Sequence, residues 1–80
     1  MIKVPEKPIP MCKVLISIAY VERSSPRLFA HSVLQALIGQ PTRRCRMALR
    51  RAARAGLCTA TGSGNYTLTE AGRKRLATCH

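Results

Sequence analysis

The sequence predicts a mainly α domain carrying a small β-hairpin: a three-helix core, then the hairpin, then a short C-terminal helix. Three observations predict it. Apolar residues recur at helical spacing up to about residue 55, and Gly39 and Gly56 stand where helices should end. In the second half, Thr-rich alternating segments flank Gly62-Ser63-Gly64, as strands flank a tight turn. A chain of 80 residues leaves room for one small domain with one modest core.

Residues 1–10 carry prolines at 5, 8 and 10 and read as an extended N-terminal arm, with the folded domain over 11–78. Met11, Val14, Leu15, Ile18 and Ala19 follow the i, i+3, i+4, i+7, i+8 stripe of an amphipathic helix. The β-branched content of Val14 to Val21 would equally suit a buried strand. Ser24-Ser25-Pro26 is a start signal, with serine as N-cap and proline at the first helical position. A second helix should then run to Ile38, turning Phe29, Ala30, Val33, Leu34, Leu37 and Ile38 inward, and end at Gly39. Only Gly39-Gln40 separates it from Pro41-Thr42, which opens the third helix, a helix-turn-helix arrangement. That helix should close at Gly56. Strands over 57–61 and 65–68 come next, and Thr69-Glu70 then caps a basic helix from Ala71 to Ala77.

The charge balance is extreme. Fourteen Lys and Arg face three acids, for a net charge of +11, and no acid lies between Glu22 and Glu70. Such a field opposes folding by self-repulsion, so a polyanionic partner is the reason to keep it. An anionic membrane fits poorly, because the longest apolar run, Val14 to Val21, falls far short of the ~20 residues a span needs. Three prolines precede that run and no small-residue cleavage site follows it, so it does not read as an export signal. The expected location is cytoplasmic, with the nucleoid.

Catalysis requires acids, bases or nucleophiles gathered in a pocket. Acids at 6, 22 and 70, two histidines and scattered cysteines make no such constellation, and no glycine motif cradles a phosphate. The chain is therefore expected to be no enzyme, with no cofactor and no small-molecule ligand. Cys12, Cys45, Cys58 and Cys79 contain no Cys-x-x-Cys pair. They read as small thiols with a loose tail, neither a metal site nor a disulfide framework; Cys79-His80 is the weak metal alternative.

Residues 42–55 hold the densest signal. On a helical wheel, Arg43, Arg44, Arg46, Arg50, Arg51 and Arg54 fall within an arc of about 160° around Met47. Cys45, Ala48, Leu49, Ala52 and Ala55 fill the other side, with Ala53 at the border. Segregation of this kind belongs to a folded amphipathic helix, and solvated faces normally mix both signs.

The order helix, helix, turn, helix, hairpin, together with Ala55-Gly56-Leu57 and Tyr66-Thr67-Leu68-Thr69-Glu70-Ala71-Gly72-Arg73, resembles the winged helix-turn-helix domain over about residues 11–76. The second string is similar to the end of the wing in bacterial regulators of the MarR and PadR kind. The short strand usual between the first two helices is not evident. The resemblance implies a transcriptional regulator, of a size suited to a phage or mobile element, whose third helix enters the major groove of double-stranded DNA. On that basis Thr42, Arg43, Arg44, Arg46 and Met47 are assigned to base edges, with Arg50 able to reach base or phosphate. Arg27, Arg51, Arg54, Ser63, Asn65 and Arg73 are assigned to phosphate. The wing tip carries no Lys or Arg, so minor-groove insertion is not expected. A two-fold DNA site would call for a homodimer, made through the arm or residues 71–80. Two alternatives stand beside this reading: an RNA- or ribosome-binding domain, and an adaptor or inhibitor docking its basic helix on an acidic protein. Recognition of RNA favours exposed aromatics, whereas Tyr20, Phe29 and Tyr66 are expected in the core.

Overall fold

The computed structural model describes residues 8–24, 28–62 and 64–79. Among them four helices and one antiparallel hairpin follow in the order α1 (Met11–Arg23), α2 (Ala30–Ile38), α3 (Thr42–Arg54), β1 (Cys58–Ala60), β2 (Tyr66–Leu68) and α4 (Glu70–Ala77). The protein is thus mainly helical with a small two-stranded sheet, as the sequence predicts.

Helix α1 is the central element, packing against α2, α3, α4 and β2. Its predicted stripe is the buried one, with Val14, Leu15 and Ile18 inside and Met11 and Ala19 partly covered. The helical period therefore outweighs the β-branched composition. Ser17 also lies inside, its hydroxyl satisfied by donating to the Lys13 carbonyl one turn back at 2.9 Å. Leu34 from α2, and Cys45, Leu49 and Ala52 from α3, complete the core with Cys58 and Leu68 from the hairpin.

The second helix starts later than its local signal implies. Ser24 closes α1, donating from Oγ to the Tyr20 carbonyl at 2.8 Å. Residues 28–29 carry no regular structure, Phe29 is the extended N-cap, and α2 begins at Ala30. Ser25 and Pro26, which carry that signal, lie outside the described residues, and the observed start of α2 is held by a tertiary bond. The Asn65 side chain, at the turn end of the hairpin, donates from Nδ2 to the Leu28 carbonyl (2.8 Å) and accepts the Ala30 amide on Oδ1 (3.1 Å). This side chain clamps 28–30 to the hairpin much as a third strand would. The shorter helix also changes which residues turn inward. Ala30 and Leu34 are buried and Val33 and Ile38 partly so, but Phe29 and Leu37 are 42% and 49% exposed, against expectation. Tyr20 also projects outward, and Tyr66 is half-buried.

Glycine ends α2 and α3 as expected, Gly39 at φ 68° and Gly56 at φ 79°. At α3 the Gly56 amide donates to the Ala53 carbonyl and the Leu57 amide to the Ala52 carbonyl, both at 3.0 Å, a Schellman closure. Hydrogen bonds centred on Thr69 tie Ala55-Gly56-Leu57 to Thr69-Glu70-Ala71-Gly72. Thr69 caps α4 by accepting the Gly72 amide at 3.1 Å and donates its hydroxyl proton to the Gly56 carbonyl at 2.6 Å. Its own amide donates to the Leu57 carbonyl at 3.1 Å. Gly72 is buried against that same carbonyl, where a Cβ would collide with the oxygen. One knot of backbone thus joins the end of α3 to the start of α4.

The hairpin pairs Cys58 with Leu68, Thr59 with Thr67 and Ala60 with Tyr66. Along the outer edge of β2, side-chain oxygens take both free amides: Asn65 Oδ1 accepts from Tyr66 (3.0 Å) and Glu22 Oε1 from Leu68 (2.8 Å). Glu22 also accepts from the Thr67 hydroxyl (2.9 Å) and pairs with Arg73 at 2.9 Å. Partial burial pushes the Glu22 carboxyl up. The Leu68 amide, the Thr67 hydroxyl and the Arg73 guanidinium outweigh it and hold the group below its ordinary value.

The cysteines divide into two pairs. Cys45 and Cys58 are buried free thiols, as expected, and burial raises both above their ordinary value. Cys12 and Cys79 form a disulfide that spans 67 positions, with Cα atoms 5.8 Å apart. The expectation of a loose, reduced tail is therefore corrected, and Cys79 is no thiol ligand for a metal. The pairing is non-local and joins the start of α1 to the residue beyond α4, so spacing along the chain carried no sign of it.

Candidate nucleic-acid interface

Helix α3 divides as the wheel predicts. Cys45, Leu49 and Ala52 are buried and Ala48 and Ala53 half-buried, while Ala55, placed on the inner side by the wheel, is exposed beyond the last turn. Outside stand Arg43, Arg46, Arg50, Arg51 and Arg54, with Met47 57% exposed among them. The alanine-rich inner side lets the helix lie close to α1 and α2. The two described acids bond elsewhere, Glu22 to Arg73 and Glu70 to Lys74 (3.6 Å), so neither neutralises this face. Arg51 and Arg54 in the last turn favour the helix dipole, whereas Arg43 and Arg44 oppose it in a first turn lacking any acid or side-chain cap. An anion lying across the first turn would relieve that opposition.

The outer face has two flanks. Arg44, half-buried, and Arg51 line a hollow of about 300 Å³ together with Met47, Ala48 and residues Pro8, Ile9 and Met11. The arm end thus runs beside α3, with Ile9 packed against the core. On the opposite flank Arg46 and Arg50 line a second hollow with Phe29, His31, Gly64 and Tyr66. Met47 sits between the base-assigned arginines and also borders the arm side.

The remaining assigned residues fall less simply. The Thr42 hydroxyl donates to Gln35 Oε1 at 2.9 Å, fixing α3 against α2. Asn65, assigned to phosphate, has its side-chain amide engaged on Leu28, Ala30 and Tyr66. Arg73, also assigned to phosphate, bonds Glu22 while remaining largely exposed. Arg27 and Ser63 lie outside the described residues. The amides at the start of α2 are partly engaged: Ala30 by Asn65, and Ser32 and Val33 by the Phe29 carbonyl.

Sequence reasoning missed Phe29 and His31. Their rings stack with centroids 5.5 Å apart and planes 23° from parallel. Partial burial, and secondarily the charge of Arg46, hold the His31 imidazole below its ordinary value. The available signal was their i, i+2 spacing, which places two rings side by side only when an extended residue precedes the helix. No helix among the described residues is long and apolar enough to cross a membrane. Comparison with models of known protein families, with curated proteins and with solved structures gives no match.

Proposed function

We propose that this chain is a winged helix-turn-helix domain that binds double-stranded DNA as a small transcriptional regulator, laying α3 in the major groove. The observation that carries it is the one-sided helix α3. It is the second helix of a helix-turn-helix, its inner side is small and buried, and its outer side presents arginines unneutralised by Glu22 or Glu70. The hairpin after α3 and the knot at Gly56, Thr69 and Gly72 support the winged fold, and the Asn65 clamp on residues 28–30 occupies the place of its short extra strand. In this reading Arg43, Arg46, Met47 and Arg50 reach base edges, and Arg51 and Arg54 hold phosphate.

The test is binding to duplex DNA and matched RNA across a salt series, with duplexes selected from a random pool. Engagement of about five phosphates gives a log–log salt slope of about −4 to −5. Arg46→Ala should relax sequence preference, and Arg54→Ala should weaken all duplexes alike. No preference between selected and random duplexes refutes the regulator. One observation favours the RNA alternative: Phe29 and Tyr20 lie exposed where the sequence put them in the core, and exposed rings suit unpaired bases. Tighter binding to the matched RNA would decide for it. Failure to bind either nucleic acid at low salt would favour docking on an acidic protein.

A further inference from the structure

The hollow on the α2 side of the basic helix has the makings of a site in its own right. It measures about 470 Å³ between the start of α2, α3 and the turn end of the hairpin. Its lining includes the stacked Phe29–His31 ring pair, with Phe29 42% exposed. Arg46 and Arg50, one turn apart on α3, stand along one wall, and Tyr66 and Gly64 along the other. Two bonds of the Asn65 side chain fix the turn end of the hairpin to Leu28 and Ala30, on either side of Phe29, and a third holds the Tyr66 amide. Burial, and secondarily the charge of Arg46, hold the His31 imidazole below its ordinary value, which disfavours a third cation there.

A ring platform beside two guanidinium groups matches a ligand with a planar aromatic part and an anionic part a few bonds away. Bases stack on aromatic side chains, and guanidinium forks grip phosphate oxygens. A paired base is stacked within its duplex and cannot reach the platform. We propose that this cleft binds one unpaired nucleotide, its base against the Phe29–His31 platform and its phosphate on Arg50, the arginine able to take base or phosphate, with Arg46 left to the groove. The inference rests on the proposed nucleic-acid function and adds to it. A protein built this way prefers duplexes with an end, a bulge or an overhang beside the contacted groove.

The probe is 2-aminopurine, whose fluorescence is quenched by stacking. It is placed as a single-nucleotide overhang on a duplex, compared with the blunt duplex, and offered separately as the free nucleoside monophosphate. The overhang duplex should bind about tenfold more tightly than the blunt one, with quenching. Phe29→Leu should abolish the preference and the quenching while leaving blunt-duplex affinity unchanged. Phe29 is partly exposed, and a circular-dichroism melt checks that this variant folds. Arg50→Gln should weaken the overhang contact as well. Equal affinity for both duplexes without quenching overturns the cleft and leaves groove binding standing. Loss of blunt-duplex affinity in folded Phe29→Leu also overturns it, since Phe29 would then serve the groove contact. Quenching of the free nucleotide, with no duplex binding at all, supports the cleft and refutes the regulator.

Discussion

Replacing Glu22 by alanine removes a side chain that hydrogen-bonds α1 to both the hairpin and α4. Its carboxylate accepts from the Leu68 amide, the Thr67 hydroxyl and the Arg73 guanidinium at 2.8, 2.9 and 2.9 Å, and its side chain is 21% exposed. These bonds are not equal. Thr67 and Arg73 are exposed and can turn to water, so each contributes no more than about 1 kcal/mol. The Leu68 amide belongs to a buried residue, and leaving it without an acceptor costs about 1–3 kcal/mol. The total is about 2–3 kcal/mol, or a fall in Tm of about 10–20 °C for a domain this size. Glu22→Gln keeps an acceptor for Leu68 and loses the ion pair, so it should fall about a third as far. The pH dependence has a fixed sign. Because the folded carboxyl lies below its ordinary value, its contribution is complete above about pH 5 and is lost as pH falls through the folded value. Thermal melts of the three proteins between pH 3 and 7 test this. An alanine variant melting within 2 °C of the parent (about 0.5 kcal/mol or less), or a glutamine variant with the same acid slope as the parent, would refute the reasoning.

Cys12→Ser opens a loop of 67 residues, and the chain-entropy account gives a loss of about 4 kcal/mol. Against an expected total of about 4–12 kcal/mol for 80 residues, that is a large share, so the variant and the reduced parent should both melt about 15–30 °C lower. Buried Cys45 and Cys58 should react with a thiol reagent only after denaturation, giving two equivalents, and four after reduction; rapid native reaction would refute their placement. Gly72→Ala forces a methyl against the Leu57 carbonyl and should lower stability by about 1–3 kcal/mol in urea melts, although alanine favours helices elsewhere.

The parts of this fold legible in the sequence are those decided within a few residues. Helical periodicity placed α1, left-handed glycines ended α2 and α3, and Thr69-Glu70 marked the start of α4. The basic face of α3 was legible for the same reason, since a wheel needs only spacing. Non-local bonds decided the rest. The start of α2 is set by Asn65, 35 residues away, against a good local start signal. That shift left Phe29, expected in the core, outside the helix and partly exposed beside His31. Glu22 offered a faint clue as the last acid before Glu70, but its partners lie 45 to 51 residues along the chain. No spacing rule connects Cys12 to Cys79.

The disulfide makes the oxidised domain a covalent ring from residue 12 to residue 79. A protease that cuts once at the exposed turn around Gly62 and Gly64 would open that ring without dividing it. The two fragments, one carrying α1 to α3 and the other β2 and α4, would stay tethered at a point remote in sequence from the cut. On a non-reducing gel the nicked protein would run as one species, and it would separate into two only when reductant is added.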